Sequence, residues 1–396
     1  DVIVVGLGVM GLAACWQLAR MGQRVLGIEQ FDLFHDNGSS HGSTRVTRRA
    51  LFEHPDYVPL IKRADAEWEA LEHESSEKII NRCGLVYWGE KDSDLIQGVL
   101  RATDKEDLGL SRLSPADINE RFPAYRLPTD GNLEAIHEPH GGIIYAERAC
   151  EALARCAKKR GAILRAATHV SNWDATSDGV VVYSEEGDFE AGRLILSQGP
   201  WMKPLFRDLR IELTLVRKLL FWYMPAEERQ EIVQPDRMPC FATTYDGGLY
   251  YGMPDTSQTA EYGIKIARHD TPPEVVKVGE LDTGDEMGLE HRIEEQEDLV
   301  RPMIEQFAVQ HLGPAFDATS KDQLVHSDTV VCQYSMSPDN HFVLGKHPHY
   351  DRVVLCGGFS GHGFKFAPEI GRQLANLAMG DGLSDEAEFL GIGRFG

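Results

Sequence analysis

The sequence predicts an α/β fold in which a parallel-sheet domain is split along the chain and a mixed-sheet domain is inserted into it. Three observations predict this. An apolar run, Val2-Ile3-Val4-Val5, leads through Gly6-x-Gly8-x-x-Gly11 into a helical pattern over residues 12–19 and on to a second strand, Val25-Leu26-Gly27-Ile28-Glu29. A second glycine-rich block, Gly357-Gly358-Phe359-Ser360-Gly361-His362-Gly363-Phe364-Lys365, stands at the far end. Between them, residues 84–141 and 210–325 read as short strands, turns and an acidic helical stretch around 286–310, and the second of these blocks holds no glycine-rich motif. With 396 residues, 42% of them hydrophobic, the chain can bury the cores of about two domains.

The β-branched run at residues 2–5 has the composition of a buried parallel strand. After it, the glycine turn and helix N-terminus suit a pyrophosphate, and Glu29 ends the second strand where a carboxylate accepts ribose hydroxyls. A tight strand-to-helix turn alone would not require Glu29. At the other end, glycines at 357, 358, 361 and 363 let a backbone pass close to a flat ring or a pyrophosphate. Together the two blocks indicate a flavin dinucleotide, and Cys332, in Cys332-Gln333-Tyr334-Ser335, becomes a candidate for a covalent tether. Residues 144–160 are helical in pattern, with Ala152, Leu153 and Cys156 on one side, Lys158-Lys159-Arg160 near the end and Gly161 as the stop. Strands follow at Ala162-Ile163-Leu164, Gly179-Val180-Val181-Val182-Tyr183 and Arg193-Leu194-Ile195-Leu196-Ser197. The last runs into Gly199-Pro200-Trp201, the kind of strand end that returns to the adenine half of FAD in flavoproteins with two dinucleotide domains. The expected organisation is therefore a discontinuous Rossmann-type FAD-binding domain (1–83, 142–209 and 326–396) with an inserted mixed-sheet substrate (catalytic) domain (84–141 and 210–325).

Charge narrows the partners. The formal net charge of −22, from 40 Lys+Arg against 62 Asp+Glu, repels phosphate backbones and anionic headgroups, so neither nucleic acid nor a membrane is an expected partner. No apolar run reaches the roughly 18 residues of a membrane span, and the glycine motif begins at residue 6, too early for a signal peptide to precede it; an N-terminal segment already removed is left open. The cysteines (Cys15, Cys83, Cys150, Cys156, Cys240, Cys332 and Cys356) are scattered and lack Cys-x-x-Cys spacing, which suits buried thiols in a reducing cytoplasm. Glu294-Glu295-Gln296-Glu297-Asp298 reads as a solvated helix face, so no metal is expected. The chain is expected to be a monomer or a small homo-oligomer.

The chemistry concentrates in Gly38-Ser39-Ser40-His41-Gly42-Ser43-Thr44-Arg45-Val46-Thr47-Arg48-Arg49. Three arginines within five residues of an acidic chain suggest an anion-handling loop, because a guanidinium orients a carboxylate as well as neutralising it. Surface arginines paired with the abundant carboxylates are the alternative.

This loop, followed by Tyr57-Val58-Pro59-Leu60, resembles the monomeric sarcosine oxidase and N-methyltryptophan oxidase family. So do Cys332-x-Tyr334-Ser335, Asp339-x-His341-Phe342, Tyr251-Gly252-x-Pro254, Gly263-Ile264-Lys265 with His269, and above all the block 358–365. The resemblance implies an FAD-dependent amine oxidase of secondary α-amino acids, with a small amino-acid substrate and O₂ as its partners. It further implies that Cys332 bonds the flavin through sulfur, that Arg48 and Lys365 clamp the substrate carboxylate, and that Lys265 promotes the reaction with oxygen. Arg45, His269 and Tyr251 match residues lining the flavin and the amine, and cofactor contacts are expected from Gly6, Gly8, Gly11, Glu29, Ser40, Thr44, Gly358, Gly361, His362 and Gly363. A general base at His269 is not required, since nearby cations already lower an amine's pKa. Two departures bear on the substrate. Leu51-Phe52 stand where sarcosine enzymes usually have Tyr-Gly, and Arg268 precedes His269, either contacting a second acidic group or lying at the surface. Sarcosine is the expected substrate, with cyclic (pipecolate-like) or fructosyl amino acids, or a dehydrogenase using another acceptor, as alternatives.

Overall fold

The computed structural model describes residues 1–104, 106–256, 263–270 and 289–396, with the side chains of 289–293 left aside. Val2–Val5 is buried at every position, as a strand covered on both faces must be. It pairs in parallel with Val25–Ile28 on one side and Arg193–Leu196 on the other. The sheet extends to six strands through Ile163–Arg165, Tyr350–Gly357 and the antiparallel edge Val343–His347. One face carries the helices Val9–Arg20, Tyr57–Ser75, Ala146–Lys159 and Ala367–Met379, whose buried residues form one continuous core with the strands. Gly371 lets the last of these sit against the first, since a Cβ there would lie 2.5 Å from the Ala13 carbonyl carbon. A small antiparallel sheet, Val170–Ala175, Val180–Ser184 and Gly187–Ala191, packs on the opposite face.

The second sheet has eight strands, in the order Val325–Met336, Thr214–Met224, Ile264–Arg268, Gly248–Met253, Cys240–Tyr245, Leu85–Glu90, Leu133–Glu138 and Ser111–Leu113. It is mixed, because Cys240–Tyr245 runs parallel to Leu85–Glu90 while its other neighbours are antiparallel. The Leu289–Phe316 helix closes one face, with Phe307 stacked on Tyr250 at 4.8 Å between ring centroids. A three-stranded sheet of Thr44–Thr47, Gly142–Tyr145 and Ile80–Asn81 lies beside the cofactor-side helices.

Two expectations shift. The boundary placed at 326 falls inside Val325–Met336, which is hydrogen-bonded along the whole of Thr214–Met224 and so sits in the eight-stranded sheet. These strands, of 12 and 11 residues, are also much longer than the short strands expected over 210–325. The acidic stretch is helical, and its residues 286–288 lie outside the described residues. Within it Glu294, Glu295 and Asp298 are exposed, while Gln296 is buried and donates to the Arg217 carbonyl. Among the described residues, no helix is long and apolar enough to cross a membrane, and no His/Cys/Asp/Glu group has the geometry to hold a metal ion.

Candidate active site

The turn after Val2–Val5 is built by close approach. Gly6 has φ +89°, and a Cβ there would lie 2.7 Å from the Ser197 carbonyl oxygen. Gly11 sits one turn into the helix, where a Cβ would strike the Gly6 carbonyl oxygen, so it packs behind the cavity and does not line it. Gly8 is the helix N-cap and has no side-chain cap; Ser40 Oγ instead accepts the Val9 N–H at 3.0 Å. Glu29 accepts from Leu7 N–H at 2.7 Å and Phe31 N–H at 3.2 Å, and His35 Nε2 lies 3.5 Å away. Burial opposes its ionisation, but the hydrogen bonds from His35, Leu7 and Phe31 outweigh it and hold the carboxyl below its ordinary value.

A cavity of about 570 Å³ runs from this turn to the C-terminal glycine block. It is lined by Gly6, Gly8, Glu29, Ser40, Thr44 and Arg45 near the first motif, and by Cys332, Gly358, Gly361, His362, Gly363 and Lys365 near the second. Arg48, Tyr251, Lys265 and His269 complete the wall. Gly361 has φ +76° and a Cβ there would run into the Tyr334 ring, so only glycine lets this loop fold against the strand that carries Cys332. These residues fit FAD. A helix N-terminus without a side-chain cap suits a pyrophosphate, an ionised carboxylate suits ribose hydroxyls, and the volume lies in the range of cofactor sites.

The cations come from separate elements: Arg45 from the strand Thr44–Thr47 with Arg48 just beyond it, Lys265 from the eight-stranded sheet, and Lys365 from the short helix Phe364–Phe366. Arg45 donates to the Thr44 and Ser39 carbonyls at 2.9 and 3.1 Å, and its Nη2 lies 3.7 Å from Cys332 Sγ. Lys265, on the strand Ile264–Arg268, donates from Nζ to the Gly42 and Thr44 carbonyls at 2.8 and 2.9 Å. Burial, and then the Arg45 charge, push its ammonium well below the ordinary value. Arg48 donates to the Ala50 carbonyl at 3.0 Å, lies 4.1 Å over the Phe52 ring, and is ion-paired with Glu53. Lys365 donates to the His362 carbonyl at 2.6 Å; burial, and then Arg48, lower its pKa to about 7.

Glu53 is the residue that sequence reasoning missed. Burial disfavours its charge, yet Arg48 above all, with Lys365, holds its carboxyl far below the usual range. His362 Nε2 donates to the Asn340 carbonyl at 3.2 Å, which leaves the bare Nδ1 facing Glu53 at 3.9 Å. Glu53 Oε2 and His362 Nδ1 have no hydrogen-bond partner among the described residues. Burial keeps His362 and His269 neutral, with pKa values of about 3 and about 4. The Tyr251 hydroxyl is 3.5 Å from that of Tyr334. A second missed carboxylate, Glu138, supports the arginine loop from beneath by accepting the Arg49 and Ala50 N–H groups and the Tyr87 hydroxyl.

The two departures resolve differently. Leu51 is fully buried in the helical core and Phe52 forms cavity wall. Arg268 is outside the wall, with its guanidinium held by Asp270 at 2.6 and 2.9 Å and lying over Tyr250, so it does not await a second acidic group.

Residues 1–377 match the family model of the FAD dependent oxidoreductases. The monomeric sarcosine oxidase of Streptomyces avermitilis is 33% identical over 384 residues, covering 96% of this chain and 93% of that protein. The N-methyl-L-tryptophan oxidase of Yersinia pestis is 30% identical over 380 residues, covering 96% and 94%. Among solved structures, the open form of NikD, described as an unusual amino acid oxidase essential for nikkomycin biosynthesis, aligns with TM-score 0.80 at 25% identity over 99% of this chain and 96% of that one. A cavity fitted to FAD, on a chain matched over nearly its full length, leads to one assignment: this protein belongs to the FAD-dependent oxidoreductases and is similar to the monomeric sarcosine and N-methyl-L-tryptophan oxidases.

Proposed function

We propose that this protein oxidises secondary, N-methylated α-amino acids such as sarcosine to an imine, which hydrolyses to an aldehyde and an amine while O₂ is reduced to hydrogen peroxide. The observation that carries this reading is the meeting of Arg48 and Lys365 in one buried wall around a single internal carboxylate, Glu53. A substrate carboxylate takes the place of Glu53 on Arg48 and gains Lys365 as a second partner, and this double contact fixes the adjacent C–N bond. Phe52 beneath the guanidinium limits its rotation. The two cations lower the pKa of the substrate amine, which keeps its lone pair free for oxidation, and neutral His269 adds no opposing charge. FAD, when bound, supplies the acceptor for the two electrons and the hydrogen leaving the carbon next to nitrogen, and passes the electrons to O₂.

Lys265, pinned by two carbonyls, is the group we assign to stabilising negative charge as oxygen is reduced. Cys332 is the residue we assign to the covalent tether, with Arg45 Nη2 3.7 Å from its sulfur. None of the seven cysteines is paired in a disulfide, which supports a reducing cytoplasm.

Peroxide release in air-saturated buffer, measured across sarcosine, N-methyltryptophan, pipecolate, proline and a fructosyl amino acid, tests the reading. Turnover of an N-methyl amino acid supports it, and turnover of pipecolate or a fructosyl amino acid alone moves the substrate class. If no peroxide forms yet the flavin bleaches anaerobically, the protein is a dehydrogenase; if nothing bleaches it, the amino-acid assignment fails.

A further inference from the structure

Two cysteines outside the flavin cavity lie against each other. Cys83 lies two residues before the start of the strand Leu85–Glu90, and Cys240 opens the strand Cys240–Tyr245. The two strands run in parallel with Cys240 in register with Leu85, and the Cys240 N–H donates to the Gly84 carbonyl at 3.0 Å. Their sulfurs are 3.8 Å apart, although 157 positions separate them in the chain. A disulfide needs an S–S distance of about 2 Å. That hydrogen bond already ties the two backbones beside the sulfur pair.

Exposure separates their roles. Cys240 is fully buried, whereas Cys83 is partly exposed, so a small oxidant from solvent meets Cys83 first. The hydrogen bond with Cys240 also lowers the Cys83 pKa, while burial raises those of Cys15, Cys150 and Cys356. Thiolate character and access are the two conditions for oxidation by peroxide, and a second thiol in contact is the condition for its reversal.

We propose that Cys83 and Cys240 form a dithiol that hydrogen peroxide converts to a disulfide. The Cys83 thiolate attacks one peroxide oxygen, forming an S–O bond as the O–O bond breaks; the departing hydroxide takes a proton and leaves as water. The Cys240 sulfur then attacks the Cys83 sulfur, forming the S–S bond as the S–O bond breaks, and a second water leaves. Two thiols have lost two protons and two electrons, which one peroxide takes up in becoming two waters. The oxidant is the product of the reaction proposed above, but the site needs only its presence. The link closes beside Phe241 and Ala242, which continue the Cys240 strand onto the cavity wall, and it keeps Cys83 from irreversible oxidation there.

The test treats the holoenzyme with added hydrogen peroxide, blocks the remaining thiols under denaturing conditions and maps the peptides by mass. The expected result is a Cys83–Cys240 linked pair, a chain lighter by two hydrogens, and recovery of both thiols with dithiothreitol. In Cys240→Ser, Cys83 is expected to label with dimedone as a sulfenic acid, and in Cys83→Ser, Cys240 stays a thiol. Recovery of both cysteines as free thiols, of Cys83 as a sulfinic acid with Cys240 unmodified, or of either one linked elsewhere would overturn the proposal. Repeating the map during turnover separates the two readings: a link with added peroxide but none with substrate and O₂ counts against the oxidase and leaves the dithiol standing.

Discussion

Lys365 and Glu53 set the pH and mutational behaviour expected of the proposed carboxylate clamp. With a pKa of about 7, Lys365 carries its charge below that pH and loses it above, while His362 and His269, at about 3 and about 4, do not change state in the same window. The inhibition constant of a plain carboxylate such as acetate should therefore be flat below pH 7 and rise roughly tenfold per pH unit above it. Lys365→Met should weaken acetate by about 10- to 100-fold, the value of a charged hydrogen bond, and flatten the profile. Glu53→Gln should act in the opposite direction. It removes the internal rival for Arg48, so acetate should bind roughly tenfold tighter; weaker binding would show that Glu53 holds the arginine in place and does not compete for it. Arg48 and Lys365 were legible as candidates, both of which line the cavity, because cations stand out in a chain of net charge −22 and their neighbours matched a known pattern. Glu53 was not, because one carboxylate among 62 acidic residues has no mark until folding buries it beside Arg48.

The opening strand, glycine turn and helix were readable because their pattern is local: a buried run, glycines forced by close approach, and a carboxylate at the end of the next strand. The long pairing of Thr214–Met224 with Val325–Met336 was not, because it is set by contacts between segments about a hundred residues apart, and neither segment shows its length on its own. The turn at Gly361 belongs to this pairing. Gly361→Ala forces a side chain into φ +76° and against Tyr334, and should lower stability by more than about 1 kcal/mol, read as a lower urea midpoint at unchanged slope.

At the scale of the whole molecule, the cavity is assembled from residues near both ends of the chain, Gly6 to Lys365, and from both large sheets. Whatever fills it ties the chain together. Replacing Cys332 with Ser should let acid denaturation release FAD that the parent protein retains, and should make the melting temperature rise with added FAD, since free ligand then stabilises in proportion to its occupancy. Retention of FAD by the Ser variant, or its release by the parent, would overturn the tether.

Lys265 has a consequence for traffic through the site. Its ammonium, carried by the eight-stranded sheet, is fastened to the Gly42 and Thr44 carbonyls of the loop that leads out of the six-stranded sheet. Those bonds hold the loop against the strand while the site is closed, and opening it to water would hydrate an ammonium whose charge burial opposes. Any path that parts loop and strand therefore exchanges two carbonyls for water at Lys265, and the latch re-forms when that water is expelled.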